Sequence, residues 1–347
     1  MELYIYDGAR KLSGIVEAFD YLRWSRRYHS CGSFEIKAVA TPGNLALIKT
    51  GNILWKNDDE EAGYIELVEL TMEEGGEHIT ATGRFVSSIM GRRIIWSTEN
   101  LSGELSAMLG RLLTNHLISP ADTARKIERV QYVGGPAGFP VNNQISHKNL
   151  LAAISGLCEA ADVGLKTSFN PATGIFKIAL YQGSDVQGVF SREFENVLAQ
   201  TFTESVAGYA NVALVGGEGE GAERTFVTVG TSTGEGRFEI FVDAKDLRGD
   251  DFPGNYSDAL IFRGSAKLAE QAMVKACDAT LNQYGNLRYK HDFDIGSRVR
   301  VAAKGWGLSM TARITEIEES FQQDGMSLDV TLGRPLLTLA QKQEGTG

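Results

Sequence analysis

The sequence is short of the residues that small folds use as staples or as addresses. Only three cysteines, Cys31, Cys158 and Cys277, occur in 347 residues, far apart and with no Cys-x-x-Cys pair. That excludes a disulfide framework and predicts a reducing compartment. No apolar run approaches the roughly 20 residues of a membrane-spanning helix. The longest apolar helix candidate, Leu150 to Leu165, is interrupted by Glu159 and Asp162. The amino terminus, Met1-Glu2-Leu3-Tyr4-Ile5-Tyr6-Asp7-Gly8, has no basic or apolar signal region and begins as a strand. Basic residues are outnumbered 34 to 44, a net charge of -10. General binding to nucleic acid or an anionic membrane needs clustered Lys and Arg and is therefore not expected. His-Glu-x-x-His, Gly-x-Ser-x-Gly and Walker-type motifs are absent as well.

What remains is length and alternation. A chain of 347 residues exceeds one ordinary core and predicts two or three domains, and a hydrophobic content of 43% is that of a globular protein. Short strands are predicted at Leu3 to Tyr6, Phe34 to Val39, Ile53 to Lys56, Tyr64 to Thr71 and His78 to Thr82. Turns fall at Pro42-Gly43-Asn44, Asn57-Asp58-Asp59 and Gly75-Gly76. Such spacing suggests a small barrel or sandwich. The period then changes. Leu105, Met108, Leu109, Leu112 and Leu113 recur at helical spacing behind Ser102 as cap, Ser119-Pro120-Ala121-Asp122 starts a brief helix, and Ser146 opens another. A hairpin follows, Leu165 to Phe169 and Phe176 to Tyr181. The longest helix is read from Ser257 to Asn282, and strands return at Arg298 to Ala302, Met310 to Ile317 and Met326 to Thr331.

The middle of the chain holds the acidic glycine cluster Gly216-Gly217-Glu218-Gly219-Glu220-Gly221. Gly217-x-Gly219-x-x-Ala222 satisfies a loose dinucleotide pattern, but a phosphate loop needs a helix after it. Strand-like residues follow instead, and two glutamates would repel an anion. A flexible hairpin tip is the expectation. Arg23, Arg26 and Arg27 alternate with Tyr21, Trp24 and Tyr28, as on a half-exposed strand or, alternatively, a base-stacking patch. Asp292-x-Asp294-x-Gly296 beside His291 imitates the start of a calcium loop but lacks the later acidic ligand. Asp58-Asp59-Glu60-Glu61 reads as a solvated tip, His116 as a helix-end residue, and His29 with Cys31 lacks further ligands. No catalytic, cofactor-binding or metal residue is singled out.

Two strand regions look like copies. Gly51, Val68-Glu69-Leu70, a Gly75-Gly76 turn and Ile79 to Arg84 are echoed by Gly296, Thr315-Glu316-Ile317, an Asp324-Gly325 turn and Leu328 to Arg334. Duplication and coincidence of similar hairpins both fit.

From Ser146 onward the order of motifs resembles the tail-hub family of long-tailed phages, the siphovirus tail-tip or minor tail structural proteins. It is carried by Gln182-Gly183-x-Asp185, by Val189-Phe190-Ser191-x-Glu193-Phe194-x-Asn196-Val197-Leu198, and by Tyr209-x-Asn211-Val212 through Gly217-x-Gly219 to Arg224. Gly236-Arg237-x-Glu239-x-Phe241-Val242-Asp243-Ala244-x-Asp246-Leu247 and Asp294-x-Gly296-x-x-Val299 complete it. The resemblance implies an α+β, β-rich multidomain fold: two related small β-barrels with helix-and-hairpin domains inserted between and within them. The expected divisions are 1–97 (first barrel), 98–188 (helical domain with hairpin), 189–254 (hairpin arm and part of the second barrel), 255–290 (long-helix insertion) and 291–347 (completion of the second barrel and tail). It implies a non-enzymatic homotrimer at the virion tail tip, assembled in the bacterial cytoplasm. Its partners would be the tail tube or distal tail protein and downstream tail-tip or fibre proteins, with DNA passing through the lumen unbound and neither cofactor nor metal. Because the chain stops soon after Arg334-Pro335, receptor binding and wall digestion are expected on another chain. The other classes are a tail-associated peptidoglycan- or carbohydrate-degrading enzyme, which would need an acidic pair in a cleft, and a glycan-binding adhesin. The latter would present an aromatic platform from Trp24, Trp55, Trp96 and Trp306.

Overall fold

The computed structural model describes residues 1–16, 18–73, 76–322 and 325–333. The chain opens with β1 (Leu3–Tyr6), β2 (Leu12–Val16), β3 (Tyr21–Arg27) and β4 (Ser33–Val39), then α1 (Pro42–Leu47), β5 (Ile53–Lys56), β6 (Ala62–Tyr64), β7 (Leu67–Glu73) and β8 (Gly76–Arg84). A helical region follows with β9 (Glu99–Glu104), α2 (Leu105–Leu113), β10 (Val130–Tyr132), β11 (Pro140–Ile145), α3 (Leu150–Ala161), β12 (Gly164–Asn170) and β13 (Ile175–Tyr181). The last part comprises β14 (Asp185–Phe190), β15 (Val197–Ser205), β16 (Val212–Gly216), β17 (Phe226–Val229), β18 (Glu239–Asp243), α4 (Tyr256–Glu270), β19 (Val274–Leu281), β20 (Arg298–Ala303), β21 (Leu308–Gln322) and β22 (Gly325–Gly333). The fold is α+β, strand-rich and built from several sheets, none of which closes into a barrel among the described strands.

A ten-stranded sheet organises the rest. Its path runs β15-β19-β22-β21-β3-β4-β8-β7, with β20 and β14 attached beside β21. Alternation at period two gives this sheet two different faces. On β3 and β4, Leu22, Trp24, Phe34, Ile36 and Ala38 point into a core, while Arg23, Glu35 and Lys37 lie on the other face. That core is closed from behind by the sheet β2-β1-β5-β6 through Leu3, Ile5, Val16 and Leu54. Tyr6, Ile53 and Tyr64 of the same sheet face the largest core, filled by α2, α3 and the β10-β13-β12 sheet. A third core lies under β19 to β22, and a small one sits between α4 and the sheet β17-β16-β18.

The path contains the same unit twice. In chain order β3, β4, β7, β8 pair as 1-2-4-3, antiparallel throughout, and β15, β19, β21, β22 do the same. The strand before each third member, β5 and β20, pairs antiparallel with it or with its immediate forerunner β6. The echoed hairpins are thus topologically equivalent. Their ends align Gly76 with Gly325, which sets Glu69 opposite Glu318 in the comparison rather than Glu316. Gly75, Asp324, Arg334 and Pro335 lie outside the described residues.

Several expectations are corrected. The helix read from Ser257 to Asn282 ends at Glu270, and Val274–Leu281 is strand β19, hydrogen-bonded on both sides by β15 and β22. The alanines that extend a helical stripe there also fit a crowded strand interior, and two partners override local propensity. Pro42-Gly43-Asn44 opens α1, capped by Thr41, and is not a turn. The strand read from Tyr64 to Thr71 is divided between β6 and β7. Ser102 lies in β9, while Glu104 precedes α2 and accepts from Gly138 and Phe139 instead. Asn149, not Ser146, caps α3, and Asp122, not Ser119, caps the single 3-10 turn Thr123–Arg125.

Motifs distant in sequence meet at two glycines. A Cβ on Gly183 would stand 1.9 Å from the Gly296 carbonyl oxygen, a backbone contact that cannot yield. Gly183→Ala is expected to destabilise by about 3 kcal/mol or more, or to prevent folding. Gly156→Ala, in open space on α3, is expected to stabilise by roughly 0.5–1 kcal/mol. Parallel thermal melts of the two variants check both signs.

Candidate functional site

The two four-stranded units join where β21 pairs antiparallel with β3, in the register Glu316↔Arg27, Glu318↔Ser25, Glu319↔Trp24 and Phe321↔Leu22. Beneath this seam lies a buried ionic cluster drawn from both units. Lys56, at the end of β5, is fully buried and donates to Glu319 of β21 at 2.6 Å. Arg26 of β3, also buried, donates to Asp294 at 2.6 Å and lies 3.7 Å from Asp59 and 3.6 Å from Glu61. The Tyr289 hydroxyl bridges the halves, accepting from Arg26 at 3.1 Å and donating to Glu319 at 3.0 Å. Trp24 donates its indole N–H to Asp59. Lys290 reaches Glu319 at 3.5 Å and the Asp58 carbonyl at 2.8 Å.

Burial sets the charge states here. It pushes the Glu61 carboxyl up to about 7, the Arg26 charge opposing this. Burial also acts to lower Lys56, but Glu319 and Asp59 outweigh it and hold the ammonium above its ordinary value.

A second device pins the same seam. The buried ring of Tyr28, just past β3, sits against Gly164 and Gly296, whose added Cβ atoms would lie 2.4 and 2.3 Å from it. Its N–H donates to Thr315 and its carbonyl accepts from Leu165. Arg313 of β21 lies 4.8 Å over the ring and forms a two-pronged pair with Asp162, the left-handed C-cap of α3. First unit, helical region and second unit therefore meet at one residue.

Among the described residues the outer ends of the path, β7 and β15, are unpaired edges. On β7, Leu70 is 65% and Met72 80% exposed; on β15, Leu198 is 58% exposed and Phe202 half-buried. The sheet face opposite the cores carries Glu35, Glu69, Asp185, Asp278, Glu316, Glu318 and Asp329 together with Arg23, Arg27, Lys37, Arg84, Arg298, Arg300 and Arg313, as cross-strand register and alternation place them.

The residues singled out from sequence scatter into structural roles. Asp59 and Glu61 are buried in the seam, correcting the solvated-tip reading of that run. Asp294 turns to Arg26, and His291 pairs with Asp292. Among the described residues no group of three His, Cys, Asp or Glu could hold a metal. His116 is buried at the end of the α2 turn against Glu99, and His29 hydrogen-bonds the Val163 carbonyl. Gly216–Gly221 is the end of the β16–β17 hairpin, followed by a three-residue turn and a strand, with no helix to receive phosphate. The end is tied down: Tyr256 accepts from the Glu218 N–H, Glu218 accepts from Gly249, and Arg224 donates to the Gly216 and Gly217 carbonyls. Of the tryptophans, Trp24 is in a core, Trp55 packs on Tyr4 and Tyr6, Trp96 lies under Arg125, and Trp306 is on the β20–β21 turn. Sequence reading missed Lys56, Tyr289 and Glu319, which carry no local signal beyond alternation.

Residues 2–334 match the model of a family described as Siphovirus ReqiPepy6 Gp37-like protein. The fold is shared with a tail protein from Neisseria meningitidis MC58 (TM-score 0.62, 12% identity, 96% of each chain covered). It is shared with the 43 kDa tail protein of prophage MuSo2 from Shewanella oneidensis (TM-score 0.62, 15% identity, 96% of this chain and 99% of that one). The prophage tail protein gp18 from Listeria monocytogenes EGD-e matches similarly (TM-score 0.62, 11% identity, 99% and 98% covered). No protein with a curated description matches.

A carboxyl raised from 4.5 to about 7 in the folded state binds a proton that the unfolded chain releases. Between those values stability therefore falls as pH rises, and levels off above about 7. Glu61→Gln removes this dependence. Its stability relative to the parent is expected to rise between pH 5 and pH 8, by on the order of 2 kcal/mol, whatever its offset at either end. Denaturant melts at the two pH values measure the difference; a constant offset would mean that Glu61 does not titrate there.

Proposed function

The chain belongs to the Siphovirus ReqiPepy6 Gp37-like family, and from that premise we propose that it is a structural, non-enzymatic hub of a phage or prophage tail tip. Three copies form a ring that closes the tail tube and links it to distal tail components, in the virion, after assembly in the host cytoplasm. In this reading the units built on 1–97 and 291–347 curl into two related barrels, with 98–188, 189–254 and 255–290 as the domains between and within them.

The observation that carries the reading is the head-to-tail join of two equivalent four-stranded units. The third-position strand β21 of one unit pairs with the first-position strand β3 of the other. The strands left over are a third-position strand, β7, and a first-position strand, β15. The same join can therefore be repeated between copies. A head-to-tail contact closes into a ring when its rotation allows, and three copies give six equivalent units to meet a six-fold tube. Transferring the seam register through the equivalent strands sets Val68, Leu70 and Met72 opposite Glu204, Phe202 and Gln200 of the next copy. Leu70 and Phe202 would then cover one another, which accounts for their exposure in the single chain.

The polar face of the sheet would line the lumen. Its acids and bases balance, so it presents no excess of positive charge by which passing DNA would be held. The buried charges of the seam are engaged with one another, so the seam itself offers no free acid pair for glycoside chemistry.

Along the sheet the two free edges are seven strand spacings apart, a path of roughly 34 Å. Phe202 faces Cys277 across β15 and β19, so Leu70→Cys and Phe202→Cys are introduced together with Cys277→Ala; a disulfide within one copy then leaves a monomer, and only one between copies gives a covalent multimer. Mild oxidation of this variant is expected to give covalent species ending at the trimer, and electron micrographs a three-fold ring. A ladder continuing beyond three, or a crosslink-free monomer that degrades cell-wall material, would overturn the proposal.

A further inference from the structure

In a chain with a net charge of -10, five arginines line up on one outer surface without a carboxylate partner among the described residues. Arg129 donates to the Ala9 carbonyl, and Arg10 donates back to the Arg129 and Gly174 carbonyls at 2.9 Å while lying 3.9 Å over Phe176. Arg92 lies 4.4 Å over Tyr64. Arg93 donates to the carbonyls of Arg92 and Arg125, and Arg125 donates to Ile94 while lying 4.0 Å over Trp96. Every guanidinium is oriented by a backbone oxygen or a ring. The acids close to these arginines in sequence turn elsewhere: Glu128 pairs with Lys126, Asp122 caps Ala124, and Asp7 accepts from the Lys11 N–H.

Bringing five like charges together costs free energy that no carboxylate among the described residues offsets, and burial with the adjoining guanidinium groups lowers both Arg10 and Arg93 from the usual arginine value. Each group keeps unused donors, and each is already immobilised, so little ordering cost remains for a ligand. Planar, fixed guanidiniums are the donors best matched to carboxylates. We infer that this row, Arg129-Arg10-Arg92-Arg93-Arg125, is a docking surface for an acidic, carboxylate-rich segment of another protein.

Duplex DNA fits it less well. It presents a charge about every 1.7 Å and would extend well beyond five arginines onto an acidic chain. The row also stands beside Tyr64 and Phe176, in the core on the far side of the β2-β1-β5-β6 sheet from the polar face of the ten-stranded sheet. A genome inside the proposed ring would not meet it.

The test uses the full chain and a decaglutamate peptide at low ionic strength, with a single-stranded oligonucleotide of equal charge in parallel. Arg125 lies over the half-exposed Trp96, so tryptophan emission reports binding. Decaglutamate is expected to bind more tightly than the oligonucleotide, and R92E/R129E to weaken it at least about tenfold. R298E/R300E, on exposed positions of β20, should leave it unchanged, each variant being checked for an unaltered melt. Absence of decaglutamate binding, tighter binding of the oligonucleotide, or full affinity in a folded R92E/R129E variant would overturn the inference. These measurements read a single chain and stand whether or not it closes into a ring.

Discussion

The pairing of β21 with β3 is the constraint on which the molecule depends. Without it the two strand units would be separate sheets, Glu319 would lose Lys56, and Arg26 would keep Asp59 and Glu61 but lose Asp294. Taking such charges out of water costs several kcal/mol for each, so the cluster is weak evidence of net stability. Its effect is on register. A slip of one residue along β21 would turn every side chain to the other face, carrying Glu319 to the polar side and leaving the buried Lys56 with Asp58 alone. Tyr28 supplies the steric counterpart, because Gly164 and Gly296 leave room for its ring in one position only. Charge fixes where the strands meet, and the ring fixes how the helical region sits against them.

The contrast between the inner join and the free edges follows from what each is for. Inside the chain the units never separate, so charged groups can be buried once, on folding, with partners supplied in cis. The edges of the proposed ring must stay soluble until assembly and then pair. On β7 they carry Leu70 and Met72 beside Glu69 and Thr71, apolar on one face and polar on the other. Such an edge is a ready template for another strand. Cross-strand contacts such as Leu70 with Phe202 contribute modestly each, roughly 0.2–1 kcal/mol. Three joins that close a ring make them cooperative, where one join alone would be weak.

The alternating strands were legible at once. β1 and β5 have the bounds that alternation indicates, and the Asn170–Gly174 turn joins β12 to β13 as read. The equivalence of the two hairpins was visible too, though not its register, because period-two patterns match themselves at every second residue. The end of α4 was not legible. Ala272, Ala276 and Cys277 continue a helical stripe, and only β15 and β22, distant in sequence, reveal Val274–Leu281 as a strand. The seam was hidden for a similar reason. Asp59 and Glu61 look like a solvated run until Arg26 and Lys290 arrive from two other segments. Motifs quoted separately for the family resemblance, Gly183-x-Asp185 and Asp294-x-Gly296, turn out to be two sides of one contact, with Arg298 donating to the Ser184 carbonyl between them.

The distribution of charge ties these features together. In the seam, Arg26, Lys56 and Lys290 face Asp58, Asp59, Glu61, Asp294 and Glu319, an excess of acid that the raised Glu61 carboxyl relieves by taking up a proton. On the polar sheet face acids and bases balance and pair, Arg23 with Glu35, Arg27 with Glu316 and Arg313 with Asp162. The arginine row is the reverse case, cations held by carbonyls and rings alone. Had the five arginines served only the fold, carboxylates from an acid-rich chain would have been the cheaper neighbours. They are segregated onto the outer layer, away from the face proposed to line the lumen. On the proposed reading the balanced inner face holds no polyanion, and the positive outer row is left for a partner that brings its own carboxylates.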